Sequence, residues 1–222
     1  MFLQLPEYAS NERPVKPRGT RRQAQAAETR KLVLSAARRL FAERGYSATT
    51  MAEIAVEAGV VQQTIYDSFG SKRGLILALL EVMDEEAGIA EIVPQIAATD
   101  DPRQALALGV RLTRQLNERC ADLIQAITSA APVEPDVAAA YEDGMARHRA
   151  GVKWMVDKIA RADALREWMT AEEAGAIVTV MTAPSAYTSL HKDFGWSFDE
   201  CEERLTSSLA AMLIEGEPRP RT

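Results

Sequence analysis

Gln62 and Gln63 stand side by side, three residues after Gly59, and each carries a donor and an acceptor on one planar amide. Such an amide pairs bidentately with an adenine edge, accepting from N6 and donating to N7. Thr50 precedes Glu53 by three positions, the spacing at which a hydroxyl and a carboxylate cap a helix start reciprocally. Asp67 adds an acceptor-only group, able to take a cytosine amino proton or to salt-bridge a basic neighbour. These groups recognise rather than react.

Bond-breaking chemistry finds no comparable support. The chain has no phosphate-cradling Gly-rich loop and no nucleophile elbow, and neither cysteine stands near a histidine in sequence. Glu172 and Glu173 read as helix-start decoration, and no metal-ligand spacing occurs. The expectation is a protein that is not an enzyme and needs no metal or cofactor.

Charge says what the recognition groups are for. The 222-residue chain carries a formal net charge of -6, with 47% hydrophobic and 26% charged residues, an ordinary globular balance. Residues 1–75 nevertheless hold twelve Lys or Arg against seven Asp or Glu, a local +5, which leaves -11 for the remainder. The start suits a polyanion and the rest avoids one. Cys120 and Cys201, far apart and each in a helical pattern, read as free thiols of a reducing compartment. The first residues hold no apolar run long enough for a signal or a span, so a cytoplasmic protein with no membrane partner is expected.

The elements that must position these groups are all helical. Residues 1–23 contain three prolines and the basic residues Arg13, Lys16, Arg18, Arg21 and Arg22, and read as a flexible arm that is either a solvated tail or a DNA contact. From Ala24 to Arg44, Val33, Ala36, Ala37, Leu40 and Phe41 form one apolar stripe. A short helix from Met51 to about Ala58, a positive-φ turn at Gly59 and a second short helix from Gln62 to Phe69 follow. Lys72 to about Ile92 is predicted as a fourth helix, with fraying at Gly88. Beyond it come one or two helices from Pro102 to about Ala131, breaking near Asn117, then one from Asp136 to Ala160. A helix from Thr170 to His191, kinked at Pro184, and a last one from Phe198 to Ile214 complete some nine or ten.

"LFAERGYSATTMAEIAVEAGVVQQTIYDSFGSKRGLI" resembles the DNA-binding region of the TetR family of bacterial repressors, over about residues 28–80. The resemblance implies an all-α fold: a helix-turn-helix domain over 24–71, a larger effector-binding and dimerisation domain over 72–214, and a disordered tail from 215 to 222. It also implies a homodimer that binds a near-palindromic double-stranded DNA operator and releases it when a small-molecule effector binds. Carried over, Thr50 caps the second helix and touches a phosphate, Tyr66 and Lys72 contact phosphates, and Thr64 faces the groove. Val61, Gln62 and Gln63 replace the family's usual serine cap and basic contact, and Asp67 stands where histidine or another polar residue is common; the missing basic residue and the Asp67 charge keep open a second reading, a helical ligand- or protein-binding module with weak or lost DNA affinity.

In the body, Tyr141, Met145, Trp154, Met155, Met181 and Tyr187 are candidate effector contacts, with Leu112 and Leu116, on a mixture of aromatics and Met that suits a flat or greasy ligand. Each can equally be plain core. His148, between Arg147 and Arg149, reads as a solvated residue, and His191 as a helix-end cation. The small residues Gly175, Ala176, Ala183, Ser185, Ala186 and Ser189, answered by Leu205, Leu209 and Met212, let the last two helices pack closely; the resemblance makes them the dimer face, and an internal hairpin would use the same residues.

Overall fold

A computed structural model describes residues 19–214. Among them are eleven α-helices and one π-turn: α1 Gly19–Arg44, α2 Met51–Ala58, α3 Gln62–Phe69, α4 Lys72–Ala87, α5 Ile89–Ala98, α6 Pro102–Arg119, α7 Ala121–Ala130, α8 Pro135–Arg161, α9 Ala171–Met181, α10 Pro184–Thr188, the π-turn Ser189–Asp193, and α11 Phe198–Leu213. The one β-type contact described is an isolated bridge between Leu165 and Ile214. The all-α expectation holds.

Several boundaries differ from the sequence reading, each for a local reason. α1 begins at Gly19, inside the expected arm, because the stretch from Thr20 to Lys31 is almost entirely good helix formers. Arg21 and Arg22 are therefore exposed on a helix, while Arg13, Lys16, Arg18 and the tail 215–222 lie outside the described residues. The fourth helix does not fray at Gly88 but ends there, and α5 starts afresh. The break expected near Asn117 falls at Cys120. Pro184 does more than kink: α9 stops at Met181, and Pro184 opens α10 at its first position, where no donor is lost.

Two apolar cores hold the molecule. One joins α1, α2, α3, most of α4, α7 and the start of α8; the other joins α5, α6, the rest of α8, α9, α10 and α11. The first runs straight across the boundary expected at residue 71. Leu75, Ile76 and Leu79 of α4 are as buried as Val33, Leu40 and Phe41 of α1. Gly74 makes this join possible, since a methyl group there would overlap the Phe69 carbonyl at the end of α3.

Candidate DNA-reading face and internal cavity

α2 starts on a complete capping box. The Thr50 hydroxyl accepts from the Glu53 amide at 3.2 Å, and Glu53 Oε2 accepts from the Thr50 amide at 2.8 Å. Both Thr50 groups, backbone amide first, hold the Glu53 carboxyl below its ordinary range. The turn that follows is fixed by Gly59 at φ 68°, with the Val60 amide donating to Ala55 O at 3.0 Å. Ile54 and Ile65, both fully buried, lock α2 and α3 onto α1 and α4.

That packing leaves one side of α3 facing solvent. Gln62, Gln63, Tyr66 and Asp67 are exposed on it and Thr64 is half-buried beside them. The positions fall as two i, i+4 pairs, so they share a face. Within it Gln63 Nε2 donates to Asp67 Oδ1 at 2.8 Å, which is neither of the two roles read for Asp67 from the sequence. Val61, the residue before α3, supplies no side-chain cap and is 70% exposed next to Gln62.

Two expected phosphate contacts are engaged internally. The Thr50 hydroxyl donates its proton to Glu53 Oε2 at 2.8 Å, so it meets a phosphate as a donor only by releasing that carboxylate. Lys72 folds back: its ammonium donates to the Tyr46 carbonyl and sits 4.0 Å from the Tyr46 ring centroid. Burial lowers its pKa. The start of α4 is capped by Ser71, whose hydroxyl accepts from the Gly74 amide at 3.1 Å.

Two residues that the sequence did not single out complete the head. Thr49 is buried and its hydroxyl donates to Gly45 O at 2.9 Å, closing the turn after α1. Arg38 clamps Asp122 with two bonds of 2.7 Å, Glu86 Oε1 at 2.6 Å and Arg119 O at 2.7 Å. It thereby ties α1 to the end of α4 and to the α6–α7 joint. Hydrogen bonding to Asp122, stronger than the opposing burial, raises the Arg38 pKa further. No local pattern announces this clamp, because its carboxylates lie 84 and 48 residues along the chain.

Beyond the clamp, α4 to α8 enclose a cavity of about 360 Å³, closed at one side by the end of α9 and Pro184. Tyr141, Met145, Trp154, Met155, Leu112 and Leu116 line it. Met181 and Tyr187 do not. The Tyr187 ring is buried against α6, its hydroxyl 3.1 Å from Thr113 Oγ1, and Met181 packs against the core that joins α5, α6, α8, α9, α10 and α11. His148, read as solvated, lines the cavity instead. It lies one or two turns from Tyr141, Met145, Val152 and Met155 on α8, and the helical repeat carries it to their side. Burial depresses its pKa, partly offset by the Thr179 carbonyl 3.3 Å from Nε2. At the rim, Asp84 of α4 is ion-paired with Arg147 of α8.

A family model described as bacterial regulatory proteins, tetR family, matches residues 33–79, the span that builds the capped turn and the exposed face of α3. Over those residues the chain matches the TetR family. Among its TetR-family relatives, the HTH-type transcriptional regulator AcrR of Shigella flexneri is 37% identical over 89 residues, 40% of this chain and 40% of AcrR. This and other leading relatives are matched over less than half of their own length. The HTH-type transcriptional repressor BepR of Brucella suis biovar 1 is 29% identical over 214 residues, 87% of this chain and 95% of BepR. A transcriptional regulator from Saccharomonospora viridis solved in complex with choline shares the fold, with a TM-score of 0.67 at 22% identity over 86% of this chain and 100% of its own. These TetR-family relatives are regulators rather than enzymes.

Proposed function

We propose that this protein is a ligand-responsive transcriptional regulator, a repressor, that binds a near-palindromic operator as a homodimer and is released when a small molecule fills the body cavity. The observation that carries this is the shared role of α4: its first half is core to the reading head, and its second half walls the cavity. A ligand that shifts the wall shifts the head.

In this reading Gln62, Gln63 and Thr64 meet base edges, while Tyr66, Thr50 and Lys72 meet phosphate, the last two after giving up their internal partners. Tyr141, Met145, Trp154 and Met155 contact the effector. The choline of the Saccharomonospora viridis regulator supports an effector site in such a body without naming this one's ligand. For the dimer, Leu205 and Leu209 are unavailable, both being buried within the subunit. The stripe open to a second copy is Ala176 and Val180 of α9 with Ser208, Ala211 and Met212 of α11. No described helix is long and apolar enough to cross a membrane, in keeping with a cytoplasmic site of action.

The test is a titration against DNA from upstream of the protein's own gene and against a scrambled fragment, at two salt concentrations. Tight, selective, salt-dependent binding is expected. Weak binding, equal on both fragments and unimproved by a genome-wide selection, would overturn the regulator reading in favour of a ligand-binding module without DNA function.

A further inference from the structure

We infer that the cavity takes a neutral, mainly apolar molecule whose polar end is a hydroxyl, an alcohol or a phenol, held at Asn117. This rests on the reading of the cavity as an effector site and specifies its ligand.

Asn117 of α6 lines the cavity and is only 5% exposed. Its Nδ2 donates to Thr113 O at 2.8 Å. A carbonyl only accepts, so this bond fixes which way the amide points. Oδ1 is left without a hydrogen-bond partner among the described residues, and so is the second N–H. Oδ1 is not sealed in protein but opens onto the cavity, so whatever fills the cavity must supply its donor. A hydroxyl is that partner, because it donates to Oδ1 while its oxygen accepts from the N–H.

Three threonines of the wall, Thr182 buried, Thr113 half-buried and Thr128 exposed, each direct their hydroxyl proton at a backbone carbonyl one turn back, at 2.7, 2.8 and 2.7 Å. His148 Nε2 faces the Thr179 carbonyl, so the proton sits there and Nδ1 is left as an acceptor. Donors are present as well: the second Asn117 N–H, the Tyr141 hydroxyl, the Trp154 indole and Arg147, the last paired with Asp84. What an acceptor-only ligand cannot supply is a proton for Asn117 Oδ1, and a carboxylate, an ether and a quaternary cation all lack one. Either charge would be buried without a free counter-ion, because Asp84 and Arg147 neutralise each other.

The experiment compares naphthol with methoxynaphthalene and naphthoate, and decanol with its methyl ether and decanoate, by calorimetry on the full chain. A site built to satisfy a hydroxyl rejects the analogue that lacks it. Naphthol or decanol is expected to bind at least about tenfold more tightly than its ether and its acid. In Asn117→Leu the alcohol should fall to the affinity of the ether, with ether binding retained. His148→Phe should weaken the alcohol by less. Equal affinity for alcohol and ether in the wild-type protein, tighter binding of either acid, or failure of both alcohols to bind at millimolar concentration would each overturn the assignment. The wild-type comparison needs no variant to fold. Selective DNA binding is scored on the same preparation. If it is present and the ligand order is wrong, the chemistry assigned to the cavity fails; if it is absent, the regulator reading fails.

Discussion

Gln63 Nε2 and Asp67 Oδ1 are bonded at 2.8 Å on the exposed side of α3. The carboxylate, which has no hydrogen to give, takes one amide proton and thereby turns the Gln63 oxygen away from itself. What remains is an acceptor oxygen beside one N–H, the pattern complementary to adenine and the wrong one for guanine O6 and N7. Asp67 is thus a positioning residue. Asp67→Ala should let the amide flip and cut the preference for adenine over guanine at one operator position by about tenfold. It should also strengthen binding to random DNA, since a negative charge leaves the face. A panel of operators changed at single positions reads this out. Unchanged preference in Asp67→Ala would show that the pair does not set specificity.

Tyr66 is exposed on the same face, and its hydroxyl has no hydrogen-bond partner among the described residues. Tyr66→Phe should weaken binding about fivefold on operator and random DNA alike, the mark of a phosphate contact. Gln63→Ala should instead lose affinity on the operator and little on random DNA. Equal losses for Gln63→Ala would remove its assignment as a base reader.

Arg38 of α1 ties together four helices, α1, α4, α6 and α7, that meet where head and body join. Arg38→Met leaves Asp122 and Glu86 facing each other without the cation and should cost about 2 kcal/mol. For a chain of this length that is a fall in Tm of about 4–8 °C. The gentler Arg38→Lys should keep the fold and operator binding but weaken release by the effector, because a single ammonium cannot span the clamp. Full effector response in Arg38→Lys would show that the clamp is only structural.

His148 gives stability a pH dependence whose sign is fixed by burial. Its folded pKa lies below the ordinary 6.5, so below that pH the unfolded chain binds a proton that the folded chain refuses. Stability should be flat in this respect above about pH 7 and fall as pH drops from about 6.5 towards the folded value. Melting curves of wild type and His148→Gln between about pH 7.5 and 5.5 test it, the variant lacking the decline. A wild-type Tm that falls no faster than the variant's would contradict the burial argument.

How much of this was legible beforehand follows the range of the interactions. Thr50 with Glu53, Thr170 with Glu173 and the turn at Gly59 are fixed within a few residues of chain, so spacing alone exposes them. The apolar stripe of α1 is equally local. Arg38 depends on partners brought from three other helices, and nothing around it in sequence distinguishes it from Arg39. The charged neighbours of His148 suggest a solvated site, but the helical repeat leaves Arg147 exposed and carries the imidazole inward. Met181 and Tyr187 have the composition of a ligand wall, but α9 meets the cavity through Val178 and Thr182 rather than Met181, and Tyr187 lies past the break at Pro184 with its ring on α6. Lys72 was read from its place at a helix start, whereas its long stem lets it lie back on Tyr46.

Cys120 occupies the joint between α6 and α7, fully buried, its thiol donating to Glu86 Oε2 at 3.3 Å beside the Arg38 clamp. Burial, with the Glu86 carboxylate adding to it, pushes the thiol up to about 12. A closed joint therefore gives an alkylating reagent neither access nor thiolate. The natural chain thus carries its own chemical clock: the labelling rate of Cys120 counts how often the joint opens. That rate can be read with operator bound, with effector bound and with neither, without introducing any new residue.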